Sequence, residues 1–127
     1  MGLNQAKQPL KEEQSLGDVI IDAIQDIKGK NLVKLDLREL DGASTDYFII
    51  CEGDSTTQIK AIANNIHKRI KGELGLNPSS REGIESANWV LLDYFDIVVH
   101  IFYPETRRYY ELEELWGDAK FTEYENL

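Results

Sequence analysis

The sequence predicts an α/β (α+β) domain, a mixed sheet of about four to five strands with packed helices in the order α-β-β-α-β-β-α. Three observations predict it. Apolar residues recur at three- and four-residue spacing in three segments, which is the period of a helix with one buried stripe. Four other segments are short, rich in Val, Ile and aromatics, and bounded by turn residues, as strands are. The 127 residues are 42% hydrophobic and 29% charged, a composition that suits one globular domain.

The elements follow in order. In the first helix, Leu16 to Lys28, Leu16, Val19, Ile20, Ala23, Ile24 and Ile27 form the stripe, and Ser15 with Asp18 makes a capping box at its start. Lys28, Gly29 and Lys30 close it with cations and a left-handed glycine. The first strand, Leu32 to Leu37, alternates Val33, Leu35 and Leu37 against Lys34 and Asp36. A polar turn through Asp41-Gly42 leads to a second strand, Asp46 to Glu52, whose unbroken apolar run Tyr47-Phe48-Ile49-Ile50-Cys51 places it at the centre of the sheet. Ser55 to Gln58 caps the second helix, with Ile59, Ile62, Ala63, Ile66 and Ile70 as its stripe and Gly72 and Gly75 as stops. Residues 75–86 are expected to be loop. Strands from Asn88 to Tyr94 and from Ile97 to Tyr103 are too close for anything but a tight antiparallel hairpin, although Phe95-Asp96 is a poor turn pair. Pro104 opens a third helix to about Trp116, packed by a stripe of Tyr109, Leu112 and Trp116. Residues 1–14 are expected to be a flexible polar arm, residues 15–119 the folded domain, and residues 120–127 a loose acidic tail.

Composition narrows the function. The net charge of −9 disfavours direct nucleic-acid binding and suits a basic macromolecular partner. No apolar run reaches the ~20 residues of a membrane span, and residues 1–15 have no signal-peptide core. The single cysteine, Cys51, lies in an apolar strand and reads as packing.

Chemistry is sparse. Gly53-Asp54-Ser55, between a buried strand and a helix start, resembles the opening of a nucleotidyltransferase site, and the topology is expected to be of that kind. Such a site needs two acids on one face of a neighbouring strand to hold magnesium. Asp93 and Asp96 are three apart across a turn, and Asp36 is a lone acid. Ser55 therefore reads as an N-cap, and no catalytic residue, metal ligand or cofactor is assigned. A phosphate-transfer enzyme using Ser55, Asp36 and Asp93 stands as the alternative. His67 and His100 lack the cysteine company of a zinc site, and His100 reads as a core residue.

From Glu82 to Thr106 there is no Lys or Arg. That stretch holds Asp93, Asp96 and Glu105 beside Trp89, Tyr94, Phe95, Phe102 and Tyr103, a composition that fits a basic, partly apolar partner. Trp89 and Tyr94 fit a buried hairpin equally well.

Three linked motifs resemble the ribosomal silencing factor (Iojap-type) family over residues 16 to 119. They are Asp46-Tyr-Phe-Ile-Ile-Cys-Glu52 with Gly53 and Ser55; Asn88-Trp-Val-Leu-Leu-Asp-Tyr94 with Asp96-Ile-Val-Val-His100; and Tyr109-Tyr-Glu-Leu-Glu-Glu-Leu-Trp-Gly-Asp118. The resemblance implies a bacterial cytoplasmic translation repressor rather than an enzyme. It implies binding to the large ribosomal subunit through its fourteenth protein, uL14, and steric exclusion of the small subunit, with a homodimer in the free state. Together with the hairpin's composition it points to Trp89, Leu92, Asp93, Tyr94 and Asp96 as the partner-binding residues. One departure stands out: Phe95 occupies a hairpin position that is usually glycine in the family. Either the turn is shaped differently or Phe95 adds an apolar contact.

Overall fold

The computed structural model describes residues 15–127, so the expected N-terminal arm, residues 1–14, lies outside the described residues. The elements are α1 (Leu16–Asp26), β1 (Lys30–Asp36), β2 (Tyr47–Glu52), α2 (Thr56–Leu74), β3 (Ser80–Glu82), β4 (Trp89–Asp93), β5 (Ile97–Phe102), α3 (Pro104–Tyr110), α4 (Leu112–Leu115) and β6 (Lys120–Glu123). The strands form one mixed sheet in the order β3-β4-β5-β2-β1-β6. Only the central pair, β2 and β5, is parallel, in register from Tyr47 opposite Ile97 to Glu52 opposite Phe102. The other neighbours pair antiparallel. Among the described residues no helix is long and apolar enough to cross a membrane.

The two long helices cover one face. Ser15 Oγ accepts the Asp18 N–H at 3.1 Å and the Asp18 carboxylate accepts the Ser15 N–H, so the capping box of α1 is complete. Val19, Ile20, Ala23 and Ile24 of α1 and Ile59, Ile62, Ala63, Ile66 and Ile70 of α2 are fully buried. They pack on Ile49, Cys51, Val90, Leu92, Val99 and Ile101 of the sheet. Polar groups lock the helix pair. Arg69 of α2 bridges Asp22 and Asp26 of α1, and Gln58 Nε2 donates to the carbonyls of Ile27 and Lys28.

Three expectations change. The sheet has six strands because β3 forms inside the expected loop and β6 inside the expected loose tail. Both are short and polar, and what makes them strands is a waiting edge: β3 pairs with β4, and β6 with β1. Beyond β6, the Tyr124 N–H donates to the Leu32 carbonyl and Asn126 Oδ1 accepts the Asn31 N–H, so the acidic tail is tied down. The third helix is also not continuous. Glu111 adopts φ +49 and splits it into α3 and α4. The expected stripe of Tyr109, Leu112 and Trp116 is broken by that residue: Leu112 is buried, whereas Tyr109 is 80% exposed.

A buried cation holds this break. Arg107, 8% exposed, binds the Glu52 carboxylate at 3.1 Å, the Asn31 carbonyl at 2.7 Å and the Glu113 carboxylate. It thus joins α3 and α4 to β2 and to the irregular start of β1. Replacing Arg107 by Met keeps the apolar stem but leaves two carboxylates without their cation. Urea denaturation should show a loss of about 3 kcal/mol. A loss under about 1 kcal/mol would mean that water solvates Glu52 and Glu113 without rearrangement.

Candidate docking surface

Side chains alternate across a strand, so the face opposite α1 and α2 is dictated by register. It receives Phe48 and Ile50 from β2, Trp89, Leu91 and Asp93 from β4, and Val98, His100 and Phe102 from β5. The small elements α3 and α4 and the segment after β1 cover part of it. Leu35, Leu37, Ile50, Phe102, Leu112 and Ala119 are buried there as a second core. Phe48, Trp89, Leu91, Val98 and Trp116 stay half-buried, and Tyr110 is exposed.

These side chains form one aromatic layer. Trp89 stacks on Phe102 with centroids 4.9 Å apart and meets Tyr110 at the same distance. Phe48 contacts His100 edge-on at 4.6 Å and Trp116 at 6.0 Å. Trp89 Nε1–H donates to His100 Nδ1 at 3.0 Å. Burial lowers the His100 pKa to about 4, so the ring is neutral, and its accepting Nδ1 leaves the proton on Nε2. Nε2 is buried and has no hydrogen-bond partner among the described residues. His100 is therefore a core residue, as expected, with the added task of fixing the indole plane of Trp89. Beside Trp89 an open groove of about 470 Å³ is lined by Asn88, Glu105, Tyr109 and Tyr110.

The hairpin turn projects from the same strands. Asp93 Oδ1 accepts the Phe95 N–H at 2.8 Å, and Thr45 Oγ1 donates to the Phe95 carbonyl at 2.8 Å. The Asp96 carbonyl accepts the N–H groups of Asp46 and Tyr47, both at 3.0 Å, which docks the turn on the start of β2.

Of the five residues expected to touch a partner, the structure places Trp89 and Asp93 on the aromatic face and leaves Asp96 exposed at the turn. Leu92 and Tyr94 are corrected: they lie on the other face, buried in the core that α1 and α2 cover. A two-residue period counted from Trp89 selects Leu91 and Asp93 and rejects Leu92 and Tyr94. Strand alternation in the sequence carries that distinction. Phe48, Val98, Tyr110 and Trp116 complete the aromatic face, and only the register and the break at Glu111 reveal that grouping.

The enzymatic set does not converge. Asp36 shares the side of Tyr47, whereas Asp93 shares the side of Val98, so the two acids lie on opposite faces. Ser55 follows Glu52, at the other end of β2 from both. Asp36 is held by Arg38, whose guanidinium lowers its pKa to about 2, and Ser55 caps α2 by accepting the Gln58 N–H. Among the described residues no His, Cys, Asp and Glu side chains gather as a metal site. Burial pushes the Cys51 thiol up to about 12, which suits inert packing.

The family model described as "Ribosomal silencing factor during starvation" matches residues 10–127. The chain belongs to the ribosomal silencing factor family. A relative named "Ribosomal silencing factor RsfS" from Halalkalibacterium halodurans is 40% identical over 114 residues, spanning 90% of this chain and 96% of that protein. "Mitochondrial assembly of ribosomal large subunit protein 1" from Mus musculus is 38% identical over 79 residues, 61% of this chain and 35% of that protein. A crystal structure of a Chromobacterium violaceum protein superposes with a TM-score of 0.77 at 41% identity, covering 82% of this chain and 85% of the other. The motifs that pointed to the silencing factors thus lie in β2, in the β4–β5 hairpin and along α3 and α4, around the aromatic layer.

His100 gives the surface a pH dependence. Its folded pKa, about 4, lies below the unfolded value near 6.5, so the unfolded chain binds the extra proton between these values. The contribution is complete above pH 6.5 and is lost as pH falls toward 4, by up to about 3 kcal/mol. His100→Asn keeps an acceptor for the indole but does not titrate. Melts from pH 7 to 4 should show the wild type losing stability relative to this variant; parallel curves would place the His100 ring in contact with water.

Proposed function

We propose that this chain silences translation by docking on the large ribosomal subunit through its basic protein uL14, and that it acts by occupancy rather than by turnover. Bound there, it excludes the small subunit sterically. The reading places the protein in a bacterial cytoplasm, where the ribosomes are.

The observation that carries it is the half-covered aromatic face. Trp89, Leu91, Val98 and Phe48 present apolar area, and Asp93 and Asp96 flank it in a stretch without Lys or Arg. Aromatics that are half-buried and rigidly held make good binding anchors, since little conformational freedom remains to be lost. Acids at the rim steer and orient a basic partner. Family membership supports the ribosome as that partner, and the mouse relative's name points to its large subunit. In the free protein the same face is open to a second copy, so a homodimer and the ribosome complex would compete for it. The scattered positions of Ser55, Asp36 and Asp93 give the phosphate-transfer alternative no support.

Titration on isolated large subunits tests this, with a thermal melt of each variant. Trp89→Ala should weaken binding by ~2 kcal/mol or more while the protein stays folded. Asp93→Lys should cost more than Asp93→Asn, because it adds repulsion to lost attraction. Wild-type affinity should fall as salt rises, with screening near ~8 Å at physiological ionic strength. A folded Trp89→Ala protein that binds and blocks subunit joining at full strength would remove this face from the contact.

A further inference from the structure

Phe95 sits at the tip of the β4–β5 turn, and its backbone and its side chain disagree about why it is there. Its φ is +72, a left-handed conformation that a bulky residue rarely adopts and that glycine adopts freely. The Asp96 N–H donates to the Tyr94 carbonyl at 2.9 Å, closing a three-residue γ-turn around Phe95, and the positive-φ form of that turn is the strained one. Packing of the ring on its own protein would offset the strain. Among the described residues the ring packs little: Phe95 is 69% exposed and belongs to neither buried cluster. Folding therefore gains little from a phenylalanine at this position.

The turn is nevertheless held rigidly. The Phe95 N–H, the Phe95 carbonyl and the Asp96 carbonyl are all bonded, to Asp93, to Thr45 and to the start of β2. The backbone of the turn, and with it the Cα–Cβ direction from which the ring extends, is thus fixed. Acids accompany it: Asp93 beneath the turn, Asp96 beside it and Asp46 just before the strand to which it docks. Lys34 and Arg38, the cations at that end of β1, are drawn over the Tyr47 ring, and Arg38 also holds Asp36.

We propose that Phe95 is an apolar anchor for the basic partner, seated in an apolar pocket on that partner's surface whose rim carries Lys or Arg side chains. The inference rests on the docking reading above and adds the shape and chemistry of the partner's contact point. Strain that costs folding and serves only the complex is a common feature of functional positions. A phenylalanine on a fixed backbone has only two side-chain torsions to lose when it is seated.

The test sets stability against binding. Phe95→Gly and Phe95→Asn keep the left-handed turn without the ring, and Phe95→Tyr keeps a ring. Each is melted and then titrated on isolated large ribosomal subunits. Phe95→Gly and Phe95→Asn should melt higher, by about 3 °C or more, yet bind about tenfold more weakly or worse. Phe95→Tyr should bind like the wild type. Glycine and asparagine variants that bind at wild-type strength would overturn the anchor while leaving the docking reading intact. A lower melting temperature for Phe95→Gly would overturn it too, because the ring would then be serving the fold. Wild-type protein that fails to bind the subunit at all would overturn the docking reading first, and the anchor with it.

Discussion

The parallel pairing of β2 with β5 is the constraint on which the rest of the structure depends. Two parallel strands at the centre of a sheet must be buried on both faces, and the unbroken apolar run from Tyr47 to Cys51 meets that demand. A parallel partner also requires a crossover, which α2, β3 and β4 supply. The cover provided for the two faces is unequal. One face lies under helices of 11 and 19 residues, the other under helices of 7 and 4. The second face therefore closes over Ile50 and Phe102 and stays half open over Phe48, Trp89, Leu91 and Val98. The surface we assign to docking is the part of the core that the chain does not cover.

Two polar contacts keep that open part rigid. The Trp89–His100 hydrogen bond fixes the indole in a layer where apolar contact alone would allow it to tilt. Arg107 fastens α3 and α4, which are too short to be stable by themselves, to the ends of β1 and β2. Both preset the position of a surface, which is what the proposed action by occupancy requires.

Most of the architecture was legible in the sequence. The stripes of α1 and α2, their serine caps and the apolar run of β2 are local signals, and local signals survive folding. What was not legible depends on partners far along the chain. Ser80–Glu82 and Lys120–Glu123 carry little strand signal and become strands because the edges of β4 and β1 accept them. The break at Glu111 is likewise hidden, since the contacts of Arg107 with Glu52 and Asn31 that hold it span 55 and 76 residues. The site was half visible. Composition located the cation-free hairpin, but only strand alternation separates Trp89 and Asp93 from Leu92 and Tyr94. Phe95 was recognised as out of place in a turn, and the structure shows that it takes glycine's conformation with its ring left in solvent.

Occupancy of the joining face can be measured directly. Purified small and large ribosomal subunits are mixed under joining conditions with this protein and separated by sedimentation in a sucrose gradient. Docking as proposed predicts that the protein travels with free large subunits, is absent from joined ribosomes, and lowers the joined fraction in proportion to its bound amount. Protein that travels with joined ribosomes, or large subunits that bind it and still join at the normal extent, would contradict it.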